Sequence, residues 1–296
     1  MFDFRLKVFD TVAKRLNFTK AANELNITQP AVTKHIKEIE LNLNIKLFER
    51  NGTKIKLTKT GEILLSYTNQ IFSIYEKIEF DIGELKNLHN GHLKIGASTT
   101  IAQYVLPPIL ASFKKRFPNI RISLTTKNSE KIEELLMQNK IDLGLIEGRI
   151  KNRTFHYVPL MKDEIVLTTR NGYSNSLKNF LKLEQLKNIP LVVREPGSGT
   201  LETIDLAFKN HQIKLNELNI EIQLESTESI KSYLLFSNSF AFLSVHSILN
   251  ELNHQSLTIV DIKNFEIKRD FNFIIQEGEQ SKLVNLFIDF SKRYNF

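Results

Sequence analysis

Residues 18–50 read FTKAANELNITQPAVTKHIKEIELNLNIKLFER, and this stretch decides the fold of the first part of the chain. It predicts two short helices joined by a tight turn. Thr19 is placed to cap the first, Ala21, Ala22 and Leu25 supply its packing face, and Asn26 and Ile27 make the turn. Thr28 is an N-cap for the second helix, its hydroxyl placed to accept an orphan backbone N–H. Pro30 falls in the first turn, where its missing N–H costs nothing. Val32, Ile36, Ile39 and Leu43 then recur at helical spacing as one apolar stripe. The opposite face shows Gln29, Thr33, Lys34 and Lys37, groups that reach phosphates or base edges in a major groove. Taken alone, the pattern also describes an amphipathic helix pair with a solvated outer face.

The flanking residues break that tie. Residues 46–50 and 54–57 predict two short strands, and Asn51-Gly52 between them is a hairpin signal because both residues tolerate positive φ. A basic hairpin behind a helix-turn-helix is a wing that touches the backbone beside the groove. From Met1 to Gly61 there are 12 Lys/Arg and 6 Asp/Glu, a surplus of 6; the whole chain has 40 against 33, a surplus of 7. Nearly all the excess positive charge therefore sits in the first fifth of the molecule. Phosphate neutralisation dominates DNA affinity, so this is the asymmetry a DNA-binding head requires.

Four strings in unbroken order now carry a resemblance. Residues 18–22 (FTKAA), 27–33 (ITQPAVT), 47–50 (LFER) and 57–61 (LTKTG) are similar to the N-terminal signature of LysR-type transcriptional regulators. The resemblance implies Gln29, Pro30, Thr33 and Lys34 at the major groove, and Arg50 and Lys54 on the backbone or in the minor groove beside the wing; Thr28 at the helix start and Lys37 on its outer face are read from the helix itself as further DNA-binding candidates. Many members of the family have Arg where this chain has Lys34; a lysine is a point charge and does not form the bidentate fork.

At 296 residues the chain has room for two domains with cores of their own. Its charged fraction of 25% and apolar fraction of 42% are those of an ordinary soluble protein. No apolar run approaches the roughly eighteen residues a membrane span needs. The first residues already form an amphipathic helix with Leu6, Phe9, Val12 and Leu16 on one face, so no secretory signal is expected. Zero cysteines exclude a disulfide framework, a thiolate nucleophile and cysteine metal sites, and are compatible with a cytoplasmic, nucleoid-associated location.

The segment from Thr58 to about Leu88 predicts one long helix. Leu64, Thr68, Ile71, Tyr75, Ile78, Ile82 and Leu85 recur at steps of four and three, a heptad seam that argues for pairing with the same helix of a second subunit. About thirty helical residues span roughly 45 Å. Asn90-Gly91 ends the helix. A two-fold dimer would face inverted half-sites about one helical turn, or a multiple, apart.

From Gly91 onward, strands and helices alternate. Strands are expected near 93–97, 121–126, 141–146, 164–169, 191–193, 220–224, 240–245 and 271–275, and helices near 101–117, 129–139, 200–210, 229–236 and 280–294. The sum is two α/β lobes joined by two crossing strands, and clefts between α/β lobes take small ligands. The LysR resemblance implies the same. The expected fold is an all-α winged helix-turn-helix head (residues 1–58) and a long linker helix (59–90). An α/β two-lobed effector domain similar to periplasmic solute-binding proteins follows (91–296; lobe I 91–163 and 267–296, lobe II 164–266).

Three loops at strand-to-helix junctions are candidates for the cleft: Ser98-Thr99-Thr100, the run from Arg194 through Gly197, Ser198 and Gly199 to Thr200, and Ser226-Thr227. Each brings hydroxyls and free N–H groups to a helix N-terminus, the equipment that holds an anion; plain N-capping is the alternative for each. Gly197 and Gly199 let the backbone approach a ligand closely. Arg194 adds a cation, or pairs with Glu195 or Glu202. Glu147, at a strand end, brings a carboxylate that would favour a ligand with a donor or a cation. The run from Arg194 to Thr200 resembles a LysR subgroup that senses sulfur oxyanions and carbon-fixation metabolites. That subgroup often carries Arg after the Thr, where this chain has Leu201. The expected effector is a small anion, a sulfur oxyanion or a small carboxylate.

Enzyme motifs are missing. The run around Gly197-Ser198-Gly199 is neither a dinucleotide fingerprint nor a nucleophile elbow. The close pair His89 and His92 has Asn90-Gly91 between them and is a poor metal site. No catalytic, metal or cofactor residue is expected. The expected function is a LysR-type regulator whose promoter binding is modulated by the effector. Its expected partners are double-stranded promoter DNA, further copies of the chain as a homodimer or homotetramer, and RNA polymerase, with no membrane. The alternatives are a solute-binding or metabolic protein with a basic oligomerisation arm, and a ligand-independent architectural DNA binder.

Overall fold

The computed structural model describes residues 3–51, 54–85, 90–148, 152–173, 181–278 and 280–294. It divides into two units, Met1–Glu79 and Phe80–Phe296.

In the first unit α1 (Phe4–Arg15), α2 (Phe18–Leu25) and α3 (Gln29–Leu43) surround a core of Val8, Phe9, Val12, Ala21, Ala22, Val32, Ile36 and Leu47. The cap of α2 is Asn17 and not Thr19: Asn17 is extended and its carboxamide oxygen accepts from Lys20 N at 2.9 Å, leaving Thr19 inside the first turn. Thr28 caps α3 as its sequence suggests, accepting from Ala31 N at 3.3 Å. Asn26 and Asn44 close α2 and α3 at φ 54° and 51°, the left-handed region that Asn tolerates. The apolar stripe of α3 stops short: Leu43 is exposed, because the chain turns away at Asn44.

β1 (Phe48–Asn51) and β2 (Lys54–Leu57) pair antiparallel with Phe48 opposite Leu57. The strand starts two residues later than expected, since Leu47 is committed to the core. Gly52, the second residue of the predicted turn, lies outside the described residues. α4 (Lys59–Leu85) follows, 27 residues and about 40 Å long. Gly61 is required at its start, for a Cβ there would stand 2.3 Å from the Leu47 carbonyl oxygen. The predicted seam is corrected at its beginning: Leu64 packs on the head core and Thr68 is fully buried. Farther along, Ile78 and Ile82 of the seam are exposed and Ile71 and Tyr75 are half-buried, and the exposed apolar stripe is widened by Ile63, Tyr67 and Ile74 at neighbouring positions. The Leu85 side chain and His89 lie outside the described residues.

The second unit is built on one mixed sheet. In chain order it holds β3 (Gly91–Ala97), a π-helical turn (Ile101–Val105), α5 (Leu106–Arg116), β4 (Ile120–Thr126), α6 (Ser129–Met137), β5 (Leu143–Glu147) and β6 (Phe155–Arg170). Then come β7 (Leu191–Val193), α7 (Gly199–Asn210), β8 (Ile220–Gln223), α8 (Thr227–Phe236), β9 (Phe240–Ser244), α9 (Val245–Asn253), β10 (Leu257–Ile259), β11 (Ile267–Gln276) and α10 (Lys282–Lys292). The strand order is β4-β3-β5-β11-β6-β9-β7-β8, with β10 on β6. β3 is parallel to β4 and β5, and β7 is parallel to β8 and β9. The long antiparallel pair β6–β11 runs from Ile165–Ile267 to Phe155–Gln276, with a shift of register between Phe271 and Asn272, and crosses between the two sets.

Each side has a core of its own. Ile95, Ile109, Phe113, Phe273 and Phe287 belong to one, and Leu191, Phe208, Phe240, Phe242 and Phe265 to the other. β6 begins nine residues before the expected strand, because its first half carries Pro159 and alternates weakly in burial. α9 and β10 are additions to the expected elements. Val245 opens α9 directly off β9 and does not end the strand.

Candidate functional site

The outward face of α3 carries the first group of predicted residues. Thr28, Gln29, Pro30, Lys34 and Lys37 are exposed and Thr33 is half-buried. The Gln29 amide donates to Thr33 Oγ1 at 2.9 Å, and that hydroxyl donates to the Gln29 carbonyl at 3.1 Å, which holds the amide along the helix. Arg50 lies opposite Ile55 and Lys54 opposite Asn51 in the wing; the side chains of both cations lie outside the described residues. Glu40 fixes the wing to α3. It is buried, and accepts from Leu47 N and Lys46 Nζ, both at 2.9 Å.

The second group gathers where the crossing strands meet the ends of β3, β5 and α7. Glu147 ends β5 and is 3% exposed. Ser98, just past β3, donates to its carboxylate, and Thr100 Oγ1 lies 3.5 Å from Oε1. From the opposite lobe Thr200, in the first turn of α7, also reaches Oε1 at 3.5 Å. Arg269 of β11 completes the ring: Nη1 is 3.8 Å from Glu147 Oε1 and 2.9 Å from Thr200 Oγ1, and Nε is 2.7 Å from Asp163 Oδ2. Ser244 donates to the other Asp163 oxygen at 2.6 Å. Arg269 Nη2 is buried and has no hydrogen-bond partner among the described residues.

Arg194 makes a second bridge. It clamps Glu195 through Nε (2.8 Å) and Nη2 (3.1 Å), and reaches Thr227 Oγ1 at 3.3 Å and, across the lobes, Thr99 Oγ1 at 3.4 Å. Of the two partners its sequence allowed, Glu195 is the one it takes. The site thus holds three carboxylates, Glu147, Asp163 and Glu195, against two guanidiniums.

The remaining predicted residues have structural work. Ser198 caps α7 by accepting from Leu201 N at 3.5 Å, and Ser226 caps α8 by accepting from Ser229 N at 3.4 Å. Gly197 has φ +82°, and its carbonyl accepts from Glu130 N at 3.3 Å. A Cβ on Gly199 would stand 2.3 Å from the Glu147 carbonyl oxygen, so the lobes touch backbone to backbone here.

Sequence reasoning missed Arg269 and Asp163. The alternation of β11 held the signal: Ile267, Arg269 and Phe271 are buried while Lys268 and Asp270 are exposed, so a period of two puts the guanidinium inside. It also missed a latch farther along the lobe boundary. Tyr104, in the π-helical turn, donates to Glu228 of α8 and lies under Lys231, whose Nζ is 5.0 Å from the ring centroid. Lys231 is 2.8 Å from both Glu228 and Glu251. Burial and the Glu228 bond push the Tyr104 hydroxyl far above the ordinary phenol value. Burial works to raise Glu228, but bonds from Lys231 and Tyr104 outweigh it and hold the carboxyl below its ordinary range.

The hydroxyls at the centre donate to the Glu147 carboxylate and form with it a buried hydrogen-bonded cluster that spans the two lobes. Among the described residues no group of three or more His, Asp and Glu could hold a metal ion, and no helix is long and apolar enough to cross a membrane.

Residues 4–62 match the family model described as bacterial regulatory helix-turn-helix protein, lysR family, and residues 86–295 match the LysR substrate binding domain. The chain is 31% identical to the HTH-type transcriptional regulator CysL of Bacillus subtilis over 269 residues, covering 91% of this chain and 89% of that protein. Full-length CbnR in complex with its target DNA superposes with a TM-score of 0.71 at 20% identity, covering 99% of both chains. The regulatory domain of Synechocystis CcmR in complex with 2-PG superposes with a TM-score of 0.62 at 26% identity, over 68% of this chain and 95% of that one.

Proposed function

The chain belongs to the LysR family of DNA-binding transcriptional regulators, which are not enzymes, and from that premise we propose that a small anion held between its two α/β lobes controls how its heads engage promoter DNA. Membership of the family sets aside the reading as a solute-binding or metabolic protein. The head would be residues 1–58, the linker helix 59–90 and the effector domain 91–296. Thr28, Gln29, Pro30, Thr33 and Lys34 would meet base edges and phosphates in the major groove, and Lys37, Arg50 and Lys54 the backbone beside it. The exposed stripe of α4 would pair two subunits, and two such dimers would make a tetramer. RNA polymerase is the expected partner at the promoter, and the cytoplasm the expected location.

One observation carries the effector reading. Hydroxyls from both lobes, Ser98 and Thr100 on one side and Thr200 on the other, converge with the buried Arg269 guanidinium on a single carboxylate. Donors arranged in that way hold an anion, and because they come from two lobes, what they hold sets how the lobes meet. The Arg194 bridge to Thr99 and Thr227 adds a second contact sensitive to the same movement. CcmR, whose regulatory domain is in complex with 2-PG, supports a small-molecule effector. A sulfur oxyanion or a small carboxylate fits the donor set. Binding would shift the lobes, then the spacing of paired heads, and so promoter output.

Two measurements test this. Calorimetry of the full chain against a panel of small oxyanions and carboxylates should find binding that weakens when Thr100 and Thr200 are both changed to Ala. Gel shifts with genomic fragments should find sequence-preferring binding that falls steeply with salt and responds to the same anion. Flat sequence preference would favour the architectural reading, and binding unaltered in the double variant would place the effector elsewhere.

A further inference from the structure

Glu147 stands where an anionic effector would need to be. Its carboxylate, 3% exposed, takes the Ser98, Thr100 and Thr200 hydroxyls and the nearer edge of Arg269. Those are the donors that the proposed site would offer to a guest. The other charges leave no vacancy either, because Asp163 takes Arg269 Nε and Glu195 takes two nitrogens of Arg194. One donor is spare: Arg269 Nη2, on a side chain 2% exposed, has no hydrogen-bond partner among the described residues. A buried guanidinium N–H without an acceptor is costly, and a guest larger than one carboxylate could satisfy it.

We infer that Glu147 is a built-in competitor: its carboxylate occupies the anion seat between the lobes, and an effector's anionic head binds by exchanging with it. This rests on the effector site proposed above. Exchange sets specificity. A singly charged carboxylate offers the seat nothing that Glu147 does not already supply at no entropic cost, so it loses. A doubly charged oxyanion brings more charge and further oxygens, one of which reaches Arg269 Nη2, so it is the class that can displace the side chain. The displaced carboxylate leaves the cluster, and both lobes feel the change, since Thr200 and Thr100 sit on opposite sides of it.

The experiment uses the full chain, wild type and carrying E147A or E147Q, with formate and sulfate as probes in calorimetry and thermal unfolding. Alanine vacates the seat. Glutamine keeps its shape and removes its charge, so it decides the matter where the alanine variant is unstable. Removing a like charge about 4 Å away in a partly dry site should tighten sulfate binding about tenfold or more in either variant. Formate should stabilise E147A saturably, by filling the carboxylate's place, and leave the wild type unaffected. A folded E147Q that binds sulfate no more tightly than wild type overturns the exchange. If both also lose sulfate when Thr200 is changed to Ala, the effector site itself survives that result. If E147Q binds tightly and keeps its affinity after Thr100 and Thr200 are both changed to Ala, the seat is elsewhere and both readings fall.

Discussion

Gly199→Ala puts a methyl group into the tightest contact between the lobes. The added Cβ would lie 2.3 Å from the Glu147 carbonyl oxygen, 2.6 Å from Ser129 Oγ and 2.8 Å from Glu147 Cγ. The first is backbone at the end of a buried central strand and cannot swing aside. Bringing 2.3 Å to an ordinary 3.4 Å requires α7 and β5 to part by about 1.1 Å. The Thr200–Glu147 contact, already 3.5 Å, would then pass out of hydrogen-bonding range. Overpacking of this kind costs about 1–3 kcal/mol. Alanine gains about 0.4–1 kcal/mol through the unfolded chain, because Gly199 does not have positive φ and its conformation suits other residues. The overpacking wins, with a net loss of about 1–2 kcal/mol, or about 2–8 °C in Tm for a unit of this size. Differential scanning calorimetry of the full chain measures it, and calorimetric titration with sulfate should show weaker binding in the same variant. A variant that melts with the wild type and binds the anion equally well would refute the claim that the lobes meet backbone to backbone at this point.

Lys34→Ala should weaken binding to specific and non-specific DNA alike and lower the slope of log K against log salt by about 0.9, whereas Gln29→Ala should relax sequence preference with little change of slope; gel shifts across a salt series separate the two. Ile74→Glu with Ile78→Glu, on the exposed stripe of α4, should shift the oligomer toward monomer in sedimentation and leave the melting of the second unit unchanged; an unaltered oligomer refutes pairing through that face. The Glu228 carboxyl is held below its ordinary value, so the Tyr104 latch is fully present above about pH 4.5 and is lost as pH falls through the lowered folded value. Wild type should therefore resist proteolysis at the lobe boundary down to mildly acidic pH, and Tyr104→Phe should be more sensitive at neutral pH and less pH-dependent; identical profiles would remove the latch from the account.

The head was legible because each of its features is local. Thr28, Pro30 and the spacing of Val32, Ile36 and Ile39 act within one helix, and the charge surplus is a sum over adjacent residues. Thr19 and Asn17 were harder to separate, since either can cap and only the backbone angle at Asn17 decides. The seam of α4 was misread at its start because a heptad pattern does not say which surface covers it; Leu64 packs on its own head and Thr68 is buried within the chain. In the second unit the order of elements followed from periodicity. Ser98, Thr100, Glu147 and Thr200 were found because loops at strand ends converge in α/β folds. The meaning of the cluster was not visible, since that depends on Arg269 and Asp163, which lie 69 residues after Thr200 and 37 residues before it in sequence but face each other as a cross-strand pair of β11 and β6.

Glu40 binds the end of α3 to the first residues of the wing through a backbone N–H and a lysine. The helix and the hairpin are thereby one stiff stamp with a fixed imprint. Under the proposed function, an effector bound in the second unit would leave that stamp intact and would not change which letters a single head reads. What it would alter is the interval between two imprints, and the vocabulary of such a regulator would be written in distances along the duplex.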